Sequence, residues 1–292
     1  MRFGYILPNY GDKISAQQLV EMSKTCEEAG FDSVWATDHI IMPTELKEPY
    51  GQLIEPLITL ASIAAATDRL CVGTSCIVLA QRNPILLAKQ AAALDVFSKG
   101  RVILGFGAGW AEPEFRFLNA DFAKRGKVMD ESIRLMKALW KDDVVNFEGD
   151  FFRVKDALFL PKPVNGDIPV WIGGNGPTAI RRTIRLGDGW HPVGPEVERF
   201  RKGAEEIRRS RKGVTLSMRM TTDLRKKRAP YSGPNNERRV AVSGSPAEVR
   251  KEIDAYAGAG LEYYCASINH PSAADIMADL KLFSAEVVRS YA

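Results

Sequence analysis

The chain has few of the residues that carry most metal and thiol chemistry. It holds three histidines and four cysteines in 292 residues. Cys26, Cys71, Cys76 and Cys265 show no C-x-x-C spacing and stand in apolar or helical stretches, which reads as buried reduced thiols and not as a disulfide framework or metal site. The first strand-like segment has no H-x-H or D-x-H pair, which argues against a binuclear metal hydrolase. No lysine falls inside the strand-like segments of the repeating pattern, which argues against a Schiff-base aldolase, and nothing resembles a nucleophile elbow. A net charge of +4 is too small to argue for nucleic acid. The opening "MRFGYILPNYGDK" has only a few apolar residues before Pro8 and Gly11, so neither a signal peptide nor a membrane anchor is expected there. These absences predict a soluble cytoplasmic protein without nucleic-acid or membrane partners.

What is present is a regular alternation. With 45% hydrophobic residues the chain can bury a large core. Strand-like runs at 2–9, 33–39, 70–78, 101–109, 169–174, 189–194, 214–222 and 262–270 are separated by helix-like stretches, with Ser15 and Gly30 as start and stop of the first. Two β-prone runs around Glu148-Gly149-Asp150 predict a hairpin inserted at about 144–166, and 223–244 reads as a polar loop. Eight strand–helix units with near-continuous apolar strands predict one α/β domain over 1–292, a parallel (β/α)8 TIM barrel.

In such a barrel the strand C-termini line one mouth. All three histidines, His39, His191 and His270, fall at strand ends, as does Asp38. His39 is the expected proton donor or acceptor, since imidazole titrates near neutrality, with Asp38 fixing its geometry. Two glycine-rich strand ends, "GFGAGW" (105–110) and "GGNGPT" (173–178), offer backbone amides for a phosphate at a helix N-terminus. The first lacks the G-x-G-x-x-G dinucleotide spacing. The chemistry is therefore expected to ride on a bound cofactor.

The stretches "GFDSVWATDH", "NPILLAKQAAALDVFSKGRVILGFGAGW", "EPEF", "FEGDFFRV", "PVWIGGNG" and "GDGWHP" resemble the luciferase-like monooxygenase superfamily, in particular its branch of coenzyme F420-dependent oxidoreductases. The resemblance implies a (β/α)8 barrel with insertions and often a homodimer. It implies a deazaflavin, or FMN in other branches, lying in the mouth. The cofactor phosphate would sit at Gly173, Gly174, Asn175, Gly176 and Thr178. A non-prolyl cis peptide at Ser75–Cys76 would back the ring, Gly107, Ala108 and Gly109 would line it, and Asp38 would contact it. His39 matches the catalytic base of family dehydrogenases, and Met42, Tyr50, Trp110 and His191 would form the substrate pocket. One departure stands out. Sugar-phosphate dehydrogenases of the family place a glutamate where this chain has Trp110, which argues against a sugar phosphate and leaves Glu112 or Glu114 as substitutes.

The basic run Arg225, Lys226, Lys227 and Arg228, at the expected rim, could neutralise the oligoglutamate tail of coenzyme F420, which favours that cofactor over FMN. The expected activity is hydride transfer between coenzyme F420 and a small organic substrate. An FMN-dependent monooxygenase and a non-catalytic flavin-binding protein are the alternatives.

Overall fold

A computed structural model describes residues 1–12, 14–268 and 272–291. His270, expected at the eighth strand end, lies outside the described residues. Eight strands follow in chain order: Arg2–Ile6 (β1), Ser33–Ala36 (β2), Cys71–Thr74 (β3), Val102–Gly107 (β4), Val170–Gly173 (β5), Gly189–His191 (β6), Thr215–Asp223 (β7) and Tyr263–Ser267 (β8). Each pairs in parallel with the next, and β8 pairs with β1, so the sheet closes. Beyond the cis peptide Ser75–Cys76, Ile77–Val78 resumes pairing with β4. The expected (β/α)8 barrel is the fold.

Two cores account for the near-continuous apolar strands. One lies between sheet and helices. The other fills the barrel interior with Ile6, Trp35, Trp171, Tyr263 and Cys265, and the two indoles stack at 4.9 Å. Register makes room for them: Trp35 sits opposite Gly73, and Trp171 opposite Gly189. A Cβ on either glycine would come within 2.4 Å of the facing indole. Truncating such a tryptophan to alanine costs roughly 3–5 kcal/mol.

The helices start where capping chemistry places them. Ser15 forms a capping box with Gln18, and Asn83 caps helix Pro84–Ser98 ahead of its N1 proline. The hairpin forms as Val145–Glu148 against Arg153–Ala157, its turn held by amides of Asp150, Phe151 and Phe152 donating to the buried Glu131 carboxylate. The stretch read as a polar loop carries more order than its composition suggests. Tyr231–Ser232 pairs with Arg238–Arg239, and Ala241–Ser243 adds to β7. No described helix is long and apolar enough to cross a membrane.

Candidate active site

The strand C-termini open into a cavity of about 1000 Å³. Asp38, His39, Tyr50 and Trp110 line it, as do Ser75, Cys76, Gly107, Ala108 and Gly109. Gly173, Gly174, Asn175, Gly176 and Thr178 complete the expected set. Met42 and His191 do not line it, which corrects the substrate pocket read from the sequence. Among the described residues no cluster of side chains could hold a metal ion.

His39 is oriented by a residue distant in sequence. Its Nδ1 lies 3.0 Å from Oε2 of Glu114, on the short helix Glu112–Phe117. The other carboxylate oxygen accepts the amides of Ile40 (2.6 Å) and Ile41 (3.3 Å). Burial alone would raise the Glu114 carboxyl, but the hydrogen bond and charge of His39 and the Ile40 amide outweigh it and hold the group below its ordinary value. A carboxylate at Nδ1 keeps that nitrogen protonated and leaves Nε2 for proton transfer. Tyr50 lies against the imidazole at 4.6 Å and Trp110 meets it edge-on at 5.4 Å.

Asp38 is spent elsewhere. Its carboxylate, with no exposed side-chain surface, accepts Arg82 Nη2 at 2.6 Å and the Val78 amide at 3.0 Å. It thus ties the end of β2 to the segment after the cis peptide. The sequence reading gave Asp38 the task of orienting His39; Glu114 performs it, because Arg82 satisfies Asp38 from the other side.

His191 lies beneath the cavity. Ser217 Oγ donates to the Trp190 carbonyl (2.8 Å) and so accepts from His191 Nδ1 (2.8 Å), which leaves Nε2 to accept from Ser75 Oγ (2.9 Å). Burial, aided by the Arg219 charge, drives the imidazole down to about 3. It is a neutral prop under Ser75, stacked on Trp35 at 5.2 Å. Burial likewise pushes the Cys76 thiol up to about 12, so it stands as a thiol and not a thiolate.

At the glycine-rich end, helix Pro177–Leu186 begins at Gly176 with no side-chain cap. A Cβ on Gly176 would meet no atom within 4 Å, so the glycine leaves the space over the first-turn amides open to an anion. Asn175 is a brace here: its amide donates to the Val193 carbonyl (2.7 Å) and accepts the Val193 N–H (2.8 Å). Arg125 and Arg182 line the same cavity. Arg182 pairs with Asp130, whereas Arg125 donates to the carbonyls of Gly109 (3.2 Å) and Phe122 (2.7 Å).

The basic run does not reach the cavity. Arg225 pairs with Asp279 (2.7 Å), Lys227 with Glu252 (3.2 Å) and Arg228 with Asp223 (2.6 Å), and none of the four lines the mouth. The expected grip on an oligoglutamate tail is therefore withdrawn, since fold carboxylates already hold Arg225, Lys227 and Arg228, and Lys226 does not line the cavity. Sequence reasoning missed Arg82, Arg125 and Arg219. Arg219 left a signal, a lone charge inside the apolar strand run "LSMRM".

Residues 1–231 match the family model described as luciferase-like monooxygenase. The F420-dependent glucose-6-phosphate dehydrogenase of Amycolatopsis mediterranei (strain U-32) is 35% identical over 189 residues, 62% of this chain and 56% of the dehydrogenase. The chain thus spans little more than half the length of that relative. Among solved structures, the monooxygenase RslO1 from Streptomyces bottropensis superposes with a TM-score of 0.84 at 20% identity, covering 100% of both chains. An F420-dependent secondary alcohol dehydrogenase in complex with an F420-acetone adduct gives 0.80 at 20% identity, covering 98% of each. At these identities the structural likenesses establish the barrel fold.

Proposed function

The chain belongs to the luciferase-like monooxygenase family, and on that premise we propose that it is an oxidoreductase using coenzyme F420 on a small organic substrate. The observation that carries this reading is one cavity holding both the carboxylate-oriented His39 and the uncapped, glycine-lined helix end. The residues present fit the cofactor. The Gly176 cradle leaves space for its phosphate, Arg125 lines the same cavity, and Gly107, Ala108 and Gly109 offer a floor with little side-chain bulk for a flat ring. The choice of deazaflavin over FMN is supported by the F420-dependent relative.

Bound there, the deazaflavin supplies an acceptor or donor of hydride that reacts poorly with oxygen. His39 moves the accompanying proton at Nε2, to or from a substrate oxygen. Glu114 holds the imidazole in the required tautomer and stabilises its charge when the proton arrives. Tyr50 and Trp110 flank the imidazole, which is only 8% exposed.

The test is to supply reduced coenzyme F420 and reduced FMN separately and follow oxygen, then to follow the deazaflavin absorbance with a panel of alcohols and carbonyl compounds. Turnover of coenzyme F420 without oxygen uptake is expected. Oxygen uptake dependent on FMN would make the chain an FMN monooxygenase, and tight cofactor binding without any turnover would make it a carrier.

A further inference from the structure

Arg219 is a charge for which the proton relay has no use. It projects from the interior of β7 between the buried Met218 and Met220 and lines the cavity. Its Nη1 donates to Thr37 Oγ1 (3.0 Å) and to the Ser75 carbonyl (2.9 Å). Among the described residues no carboxylate pairs with it. The other arginines around the mouth are engaged: Arg82 with Asp38, Arg182 with Asp130, and Arg239 with Glu237. Arg125 lies over the Phe122 ring at 3.7 Å and donates to two carbonyls. Of the cavity's acids, Asp38 is taken by Arg82, and Asp12 and Glu48 are exposed at the rim.

After burial, the groups that act on Arg219 are the phenols of Tyr10, Tyr50 and Tyr231 and the thiol of Cys76. Burial raises Tyr50 and Cys76, which keeps both neutral near pH 7. The guanidinium is thus a cation without a paired carboxylate in a partly desolvated wall, which favours an anion beside it. Its Nε and Nη2, which no described residue accepts from, form the planar edge that suits a carboxylate. Thr37, its partner, stands two residues before His39, and Tyr50, which lies against His39, lines the same cavity as Arg219.

We propose that Arg219 receives the carboxylate of the substrate, which makes the substrate class small hydroxy or oxo acids whose reacting carbon lies between Arg219 and His39. The substrate class rests on the oxidoreductase reading, whereas the anion site is testable without it.

The test uses benzoate and its neutral near-isostere benzamide, titrated calorimetrically into the chain with and without coenzyme F420. The native chain is expected to bind benzoate at least ten-fold more tightly than benzamide, and Arg219→Gln to abolish that preference while cofactor affinity stays within two-fold. Should Arg219→Gln unfold, Arg219→Lys decides, because a point charge lacks the planar fork and the preference should fall at least three-fold. Equal binding of the two compounds by the native chain, or a preference unchanged in the variants, overturns the proposal. So does an Arg219 variant that loses cofactor and keeps its benzoate preference. Failure to bind coenzyme F420 with the benzoate preference intact would sink the cofactor reading alone.

Discussion

His39 and Glu114 stand 75 positions apart in the chain and meet at 3.0 Å, with the carboxylate holding one ring nitrogen and the amides of Ile40 and Ile41 holding the carboxylate. The loop after β2 is therefore fixed by the same group that orients the imidazole. Removing His39 tests the chemistry, and removing Glu114 tests its geometry.

His39→Ala is expected to lower turnover by about 100-fold or more, the usual worth of a positioned acid or base, and to leave cofactor affinity within two-fold. Steady-state kinetics beside an equilibrium titration separates the two. Unchanged turnover removes His39 from the mechanism.

Glu114→Gln should depress turnover and also alter the acid stability of the chain. The carboxyl is held below its ordinary value of 4.5, so the folded state favours its charged form. Its contribution to stability is then complete above about pH 4.5 and is lost as pH falls through the depressed value. Urea midpoints measured from pH 7 down to pH 3 should fall less steeply in the variant than in the native chain.

His191 should impose a second, separate acid sensitivity. Its folded-state value near 3 lies below the ordinary 6.5, so the stability it contributes is present above about pH 6.5 and fades as pH falls toward 3. Replacing it with Gln should flatten the decline in urea midpoint between pH 7 and pH 5. A pH–rate profile with a limb between pH 5 and 8 would not belong to His191.

Asp38→Asn removes the closer of two carboxylates on Arg82 and leaves Glu55 at 3.4 Å, so the loss should lie at the low end of the roughly 3–5 kcal/mol that breaking a buried pair costs. Denaturant unfolding should show a loss of about 3 kcal/mol, near the lower bound because the amide oxygen can still accept. A loss below about 1 kcal/mol would show that the pair is not buried as described.

Neutralising Lys226 and Lys227 together should change coenzyme F420 affinity less than two-fold, whereas Arg125→Ala should weaken it about ten-fold, as expected for one charge-assisted contact. Fluorescence titration at two salt concentrations checks both. The reverse order of effects would restore the loop as the tail-binding element and displace Arg125.

The barrel was readable because each strand is buried on both sides and each helix announces its start, as Ser15 and Pro84 do. The glycine-rich ends were readable because a helix that begins on Gly176 has no other cap. The partners of Asp38 and His39 were not, since their pairings with Arg82 and Glu114 depend on how separate strand ends converge and not on local spacing. The role of His191 was misread for the same reason: a strand-end position does not say whether a side chain enters the mouth or, as here, lies under Ser75. The basic run misled because composition shows its charges and hides the acids, Asp223, Glu252 and Asp279, that the fold sets against them.

One titration weighs the reading as a whole: the chain against coenzyme F420 and against FMN, in the same buffer, followed by ligand fluorescence. Saturable binding of coenzyme F420, at least ten-fold tighter than FMN and weakened by Arg125→Ala, is the predicted result. FMN binding as tightly or more tightly, or neither compound binding at all, would contradict it.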